Sequence, residues 1–244
     1  MRICSVVLLA FVIAVMSLTA FGSQSTEADV QRALIALTPA HWQEIMSAFA
    51  LGFERGQITI PVAYRLVNRL SAYQGNQDDK EQILMTIGRA LQDDLPVEML
   101  IEKTEEGMAR GAPLSLILMG SMGQPPILGL AQRVELMEAT RDMLYTRRIF
   151  SAPPGAKAAT QSLPIARFNI LVNEIADVLA DYVESGGSPV QGYLLYQQVS
   201  ERLTNLANLK APIVPLADAQ LVLERVTATD LSSIVEKIYQ REGQ

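Results

Sequence analysis

Cysteine and histidine are nearly missing from this chain of 244 residues, which holds one of each. One thiol cannot close an intrachain disulfide, so the disulfide frameworks of small secreted domains are excluded. Zinc held by His and Cys needs more ligands than His41 and Cys4 supply. Charged residues make up 19% of the chain, below the roughly 25% of ordinary globular domains, which excludes a disordered polyelectrolyte. Uncharged runs long enough for several membrane spans are also lacking. Basic residues are outnumbered, 20 Lys and Arg against 26 Asp and Glu. No basic stripe offsets that acidic excess, so nucleic acid is not an expected partner. Nucleophile and phosphate motifs are missing too: no Gly-x-Ser-x-Gly, no Walker loop and no EF-hand loop occur. No catalytic residue, metal ligand or cofactor is expected.

What is present begins at the amino terminus. Arg2 is followed by an uncharged apolar run from Ile3 to Phe21. Ala20-Phe21-Gly22 then places small residues at −3 and −1 of a cut before Ser23, the pattern a signal peptidase accepts. Gly22 and Ser23 are therefore the expected cleavage pair, with a cut after Ala20 as second choice. The alternative is an uncleaved anchor, since the run is close to the roughly 20 residues that span a bilayer. Either way the body is expected on the far side of a membrane, periplasmic or extracellular. Cleavage would also remove Cys4 and leave a body without cysteine, held by burial alone.

The body reads as all-α. Ile165, Phe168, Leu171, Val172, Ile175, Val178, Leu179 and Tyr182 recur at helical spacing, and Leu231, Ile234, Val235 and Ile238 repeat the pattern. Val97, Leu100, Ile101 and Met108 form another stripe, as do Ile127, Leu130, Val134, Met137 and Leu144 with a gap at Arg141. No sustained apolar–polar alternation suggests a sheet. Helices are expected near 26–36, 39–54, 61–73, 78–93, 96–110, 114–122, 126–149, 164–185, 189–208, 216–225 and 228–241. Pro39, Pro61, Pro96 and Pro189 stand where first helical residues should be. Gly56, Gly75 and Gly111 stand where left-handed caps would end helices. Thr227 to Asp230 supplies a capping box for the last helix.

Residues 151–163 (SAPPGAKAATQSL) read as a linker, because Pro153-Pro154-Gly155 continues neither neighbouring helix. The expected organisation is a signal peptide over 1–22, an N-terminal helical unit over 23–150, the linker, and a C-terminal helical unit over 164–244. A short repeat links Gly52-Phe53-Glu54-Arg55-Gly56 to Gly107-Met108-Ala109-Arg110-Gly111. Its physical reading is a helix end, with arginine at the negative end of the dipole and the last glycine at positive φ. The stretch Leu95 to Pro113, LPVEMLIEKTEEGMARGAP, resembles a segment of uncharacterised exported bacterial helical proteins. There, a proline-started helix closes with Glu-Gly, an apolar residue, a basic residue and Gly. The resemblance implies an exported bacterial helical protein and carries no activity with it.

Four features compete for a role. His41-Trp42, the lone imidazole and indole, reads as a structural helix start. The acidic rows Glu98, Glu102, Glu105, Glu106 and Glu174, Asp177, Asp181, Glu184 read as solvated helix faces. Arg147-Arg148 reads as compensation of a helix dipole. The uncharged stretch Gly111 to Gln132 is the most unusual, broken by Gly120, Gly123, Pro125 and Pro126. It reads as a buried helix-turn-helix or, alternatively, as a hairpin that binds a partner or lipid through Leu116, Ile117, Met119 and Met122. The function expected is that of a non-enzymatic scaffold or interaction protein of the cell envelope. The alternatives are a small-molecule or lipid carrier built on 111–132, and a protein anchored by its uncleaved leader. A carboxylate hydrolase is the remote third class.

Overall fold

The computed structural model describes residues 25–121, 123, 126–149, 165–209 and 214–241. Gly22, Ser23, Met122 and the linker 151–163 lie outside the described residues. Eleven α-helices occur among those described. They are α1 (Glu27–Leu37), α2 (Trp42–Glu54), α3 (Ile60–Ala72), α4 (Gln77–Gln92), α5 (Glu98–Ala109) and α6 (Leu114–Met119). After a small hairpin come α7 (Leu130–Thr146), α8 (Ile165–Glu184), α9 (Gly192–Leu209), α10 (Leu216–Arg225) and α11 (Ala228–Arg241). The fold is all-α.

The apolar stripes explain the packing. Val97, Leu100, Ile101 and Met108 all turn inward, as do Leu231, Ile234, Val235 and Ile238. In the first half, α1 packs on α2 and α3, and α2 packs on α4. Small residues let α2 and α4 approach: a Cβ on Gly88 would lie 3.4 Å from that of Ala48, and one on Gly52 would strike the Leu91 side chain at 2.7 Å. In the second half α7, α8, α9 and α11 form a ring, each packed on the next and α11 closing back on α7. The α7 helix precedes the expected linker in sequence, yet it sits against α8 and α11, which follow it. One continuous apolar core holds residues from both sides of the linker.

Helix ends repeat a single device. The N–H of Gln57 reaches the Gly52 carbonyl at 2.9 Å, and the N–H of Ala112 reaches that of Gly107 at 2.9 Å. Gly56 and Gly111 supply the left-handed residue between, at φ 68° and 73°. The same closure ends α4, α7 and α8, through Leu95 to Ala90, Ile149 to Leu144 and Gly187 to Tyr182. In two of these the left-handed position is held by Asp94 and Arg148, at φ 59° and 53°. Those two carry a side-chain cost that glycine avoids.

Several expectations need correction. Gly75 is not a left-handed cap: its φ is 158°, and α3 ends in extended backbone at Tyr73. Pro39 and Pro96 precede their helices rather than opening them, whereas Pro61 and Pro189 do occupy first-turn positions. The helices expected over 114–122 and 126–149 are shorter, because β1 (Gly120–Ser121) and β2 (Ile127–Leu128) pair antiparallel between them. Gly129 explains the departure: a Cβ there would come within 2.4 Å of the Gly120 nitrogen and the Leu118 carbonyl oxygen. Backbone crosses backbone at that point, which a continued helix would not permit.

Candidate functional site

Four carboxylates expected to be solvated lie on α8, and the fold pairs three of them with cations from other helices. Glu174 accepts from Arg202 of α9 at 2.5 Å, and Asp177 accepts from the same guanidinium at 3.0 Å. Glu184 meets Lys103 of α5 at 3.0 Å and Arg133 of α7 at 2.9 Å, and it accepts the Leu128 N–H at 2.8 Å. Burial pushes the Glu184 carboxyl up, but Arg133, Lys103 and the Leu128 N–H more than offset that and hold it below its usual range. Arg133 is 4% exposed and its Nε has no protein partner. The row is therefore an internal fastener joining α5, α7, α8, α9 and the hairpin. Only Asp181 among the four is exposed.

The remaining sequence candidates are also structural. The His41 ring bonds Glu81 of α4, while Trp42 packs half-buried against the core. Glu105 pairs with Arg65 and Arg69 of α3, at 2.8 and 3.2 Å. Glu106 pairs with Arg110 one turn on. Arg147 pairs with Asp230 of α11, and the Arg148 carbonyl accepts from Arg225 at 2.7 Å. Within the uncharged stretch, Ile117 is buried and packs over Gly107, where a Cβ would lie 2.6 Å from it. Leu116 is half-buried, and Met119 is 64% exposed beside Ile127 at 40%. The fold thus splits the proposed contact residues, sending one inward and one outward.

A concavity lies elsewhere, between α7 and α11. It is an open groove of about 530 Å³. Its floor is apolar, made by Ala139 and Met143 of α7 and by Ile234 and Ile238 of α11. One rim carries Glu135, Glu138 and Asp142, spaced three and four residues apart on α7. The other carries Ser233 and Lys237 of α11. Arg147 and Asp230 close one end on each other.

The rim electrostatics differ from end to end. Burial pushes the Glu138 carboxyl above its usual range, Arg141 opposes this, and Asp93, Asp142 and Glu135 add to it. Burial also pushes Asp230 up, but Arg147 and Thr227 reverse the balance and hold it low. A raised and a lowered carboxyl in one cleft is the arrangement a glycosidase needs. Here Asp230 is not among the charges that act on Glu138. Asp230 pairs with Arg147, nine residues after Glu138 at the end of α7 and so about 13 Å along the helix axis. A second concavity, of about 420 Å³, is lined by Tyr193, Gln197, Ser200 and neighbours from α9 alone, so it lacks an opposing wall.

Among the described residues no group of three or more His, Cys, Asp or Glu is gathered to hold a metal ion. Nor is any described helix long and apolar enough to cross a membrane. Sequence reasoning did not single out the groove, although its rim was visible as acids at 135, 138 and 142. No family model, curated protein or solved structure matches the chain.

Proposed function

We propose that this is an exported, non-enzymatic interaction protein that works by contact, a scaffold or adaptor of the cell envelope. The groove between α7 and α11 is its contact surface. The observation that carries the reading is the groove itself: two walls from different helices, an apolar floor and charged rims, partly open to solvent. A cavity of that shape suits a protein segment, whereas carriers of small molecules enclose most of their ligand. Export rests on the apolar run Ile3 to Phe21 and the small residues before Ser23.

A second reading has one observation in its favour. Met119 and Ile127 are both exposed beside the short hairpin, where the uncharged stretch could meet lipid or a partner. Against it, Ile117 belongs to the core and Leu116 is half covered.

Photo-crosslinking from a benzophenone residue separates the two. Placed at Ser233 in the cells that make the protein, it should give a discrete adduct. The same residue at Asn68, on the exposed face of α3, should give none. An adduct from Met119 but not from Ser233 would transfer the contact surface to the hairpin, and no adduct from either would end the contact reading. Intact mass of the envelope-purified protein should begin at Ser23.

A further inference from the structure

We infer that the turn joining α8 to α9 is a membrane-contact tip, which dips Val190, Tyr193 and Leu194 into the surface of a zwitterionic lipid bilayer. The inference goes beyond the contact reading above and uses a different face of the molecule, so either can fail alone. Pattern comes first. Between Glu184 and Glu201 the chain reads SGGSPVQGYLLYQQVS, without a charge. Pro189–Gln191 forms a short 3-10 turn, and Gly192, at φ −55° and ψ −29°, carries it straight into α9. Val190, Tyr193 and Leu194 therefore share one face, at i, i+3 and i+4. Val190 is 93% exposed, and Tyr193 and Leu194 are exposed beside it, while Leu195 and Val199 on the opposite face belong to the core.

The tip is held in place. The Tyr182 hydroxyl donates to the Ser188 carbonyl at 2.8 Å, and the Tyr239 hydroxyl of α11 donates to the Gly187 carbonyl at 2.9 Å. Gly192 lies against α11, where a Cβ would strike the Ser232 hydroxyl and lie 2.8 Å from the Ala228 carbonyl oxygen. Three attachments thus fix an apolar face toward water, where burial within the chain gains nothing from it.

Shape and size choose the occupant. Val190 stands clear of its surroundings, so the face is a projection and not a groove for a partner's side chain. A stable protein interface takes about 20–30 residues a side, and three leave a second copy too little to bury. A bilayer needs no shaped counterpart. Tyrosine suits its headgroup level, with an apolar ring and a wet hydroxyl. Charge sets the lipid. A net charge of −6 gives an anionic surface nothing to attract, whereas zwitterionic headgroups meet an uncharged tip. Three side chains give weak, reversible contact, since even a single acyl chain binds only marginally.

The test is quenching of an indole at the tip by vesicles of brominated phosphatidylcholine, with the full chain. Tyr193→Trp should be quenched, and raising the salt should leave the quenching unchanged. Trp42, the one native tryptophan, should not be quenched, nor should Glu201→Trp, two turns along α9. Adding Val190→Asp and Leu194→Asp to Tyr193→Trp should abolish the quenching, with circular dichroism of each variant unchanged. The readout is local, so it is the same whether or not the leader has been removed.

No quenching at position 193 overturns the inference, as does quenching that survives the two aspartates. Quenching that requires anionic lipid, or fades with salt, overturns it in favour of charge-driven adsorption. Equal quenching of Glu201→Trp would spread the contact along α9 and remove the tip. A dimer in light scattering that Val190→Asp with Leu194→Asp dissolves would give the face to a second copy. The crosslink from Ser233 reads the groove, and none of these outcomes changes it.

Discussion

Two rows of acids, one on α8 and one on α7, look alike in sequence and meet opposite fates in the fold. On α8, Glu174, Asp177 and Glu184 each face a guanidinium or ammonium brought from another helix. On α7, Glu135, Glu138 and Asp142 line one rim of a groove, with Arg141 of the same helix beside Asp142 and acting on Glu138. The difference teaches that spacing along a helix says which residues share a face, and nothing about what stands opposite. A row matched from outside its own helix becomes a fastener. A row on a groove rim can keep a member in water, as Asp142 does.

The sharpest way to break the comparison is to unfasten α8. Arg133→Ala leaves the Glu184 carboxylate with Lys103 and the Leu128 N–H and should cost about 3 kcal/mol, read from urea denaturation. Arg133→Met and Lys103→Met together with Glu184→Leu should recover part of the loss, since all three charges leave at once and only the Leu128 N–H loses its acceptor. A loss below about 1 kcal/mol for Arg133→Ala would make the fastener decorative.

Next in size is the backbone crossing that keeps the hairpin on α8. Gly129→Ala places a methyl against the Gly120 nitrogen and the Leu118 carbonyl oxygen. Neither belongs to a side chain that could swing aside. The expected cost is about 2–3 kcal/mol, with faster amide exchange at Leu128.

The pH dependence at Glu184 and at Glu138 should run in opposite directions, whereas Asp177 of the α8 row is raised by burial and by Asp181. The folded carboxyl of Glu184 is lowered, so its stabilisation is present above the ordinary Glu range near 4.5 and fades as pH falls through the lowered value. Glu184→Gln should therefore cost about 1–2 kcal/mol at neutral pH and almost nothing in acid. Glu138 is raised, so its contribution is greatest when protonated and declines as pH rises from near 4.5 through the raised value. Glu138→Gln should leave neutral stability unchanged or improved. Urea midpoints of both variants between about pH 3 and pH 7 check the pair. Parallel curves would contradict the assignment.

The smallest effect is expected at a helix end. Arg148 holds a left-handed φ of 53° at the end of α7, where Gly56 and Gly111 do the same at lower cost. Arg148→Gly should stabilise by up to about 1 kcal/mol, seen as a small rise in Tm.

Much of the fold was legible because helices declare themselves locally. The stripes at 97–108 and 231–238 needed only periodicity, and the cap at Thr227 to Asp230 forms as its residue types demand, with the Thr227 N–H on Asp230 at 2.9 Å. The end of α4 was legible to within one residue, but the left-handed closures at Asp94 and Arg148 were not, because those residues occupy positions that glycine usually marks. The hairpin at 120–128 was missed for a related reason. Its signal is Gly129, whose need for smallness comes from Gly120, nine residues away. The groove was the least legible part. The acids at 135, 138 and 142 were in view, but Ile234 and Lys237 join them only through the packing of α11 on α7. The same long-range pairing hid the role of Glu184, whose partners lie 81 and 51 positions back in the chain.

Carboxyl footprinting tests the division between the two rows most directly. The native protein is coupled to glycine ethyl ester with a carbodiimide, and the labelling rate of each acid is read by mass spectrometry. The side chain of Asp142 is 71% exposed, against 14% for Glu174 and 21% for Glu184. Asp142 should label fastest, Glu138 should follow, and Glu174 and Glu184 should label only as fast as the protein unfolds. Labelling of Glu174 and Glu184 at the rate of Asp142 would contradict the account.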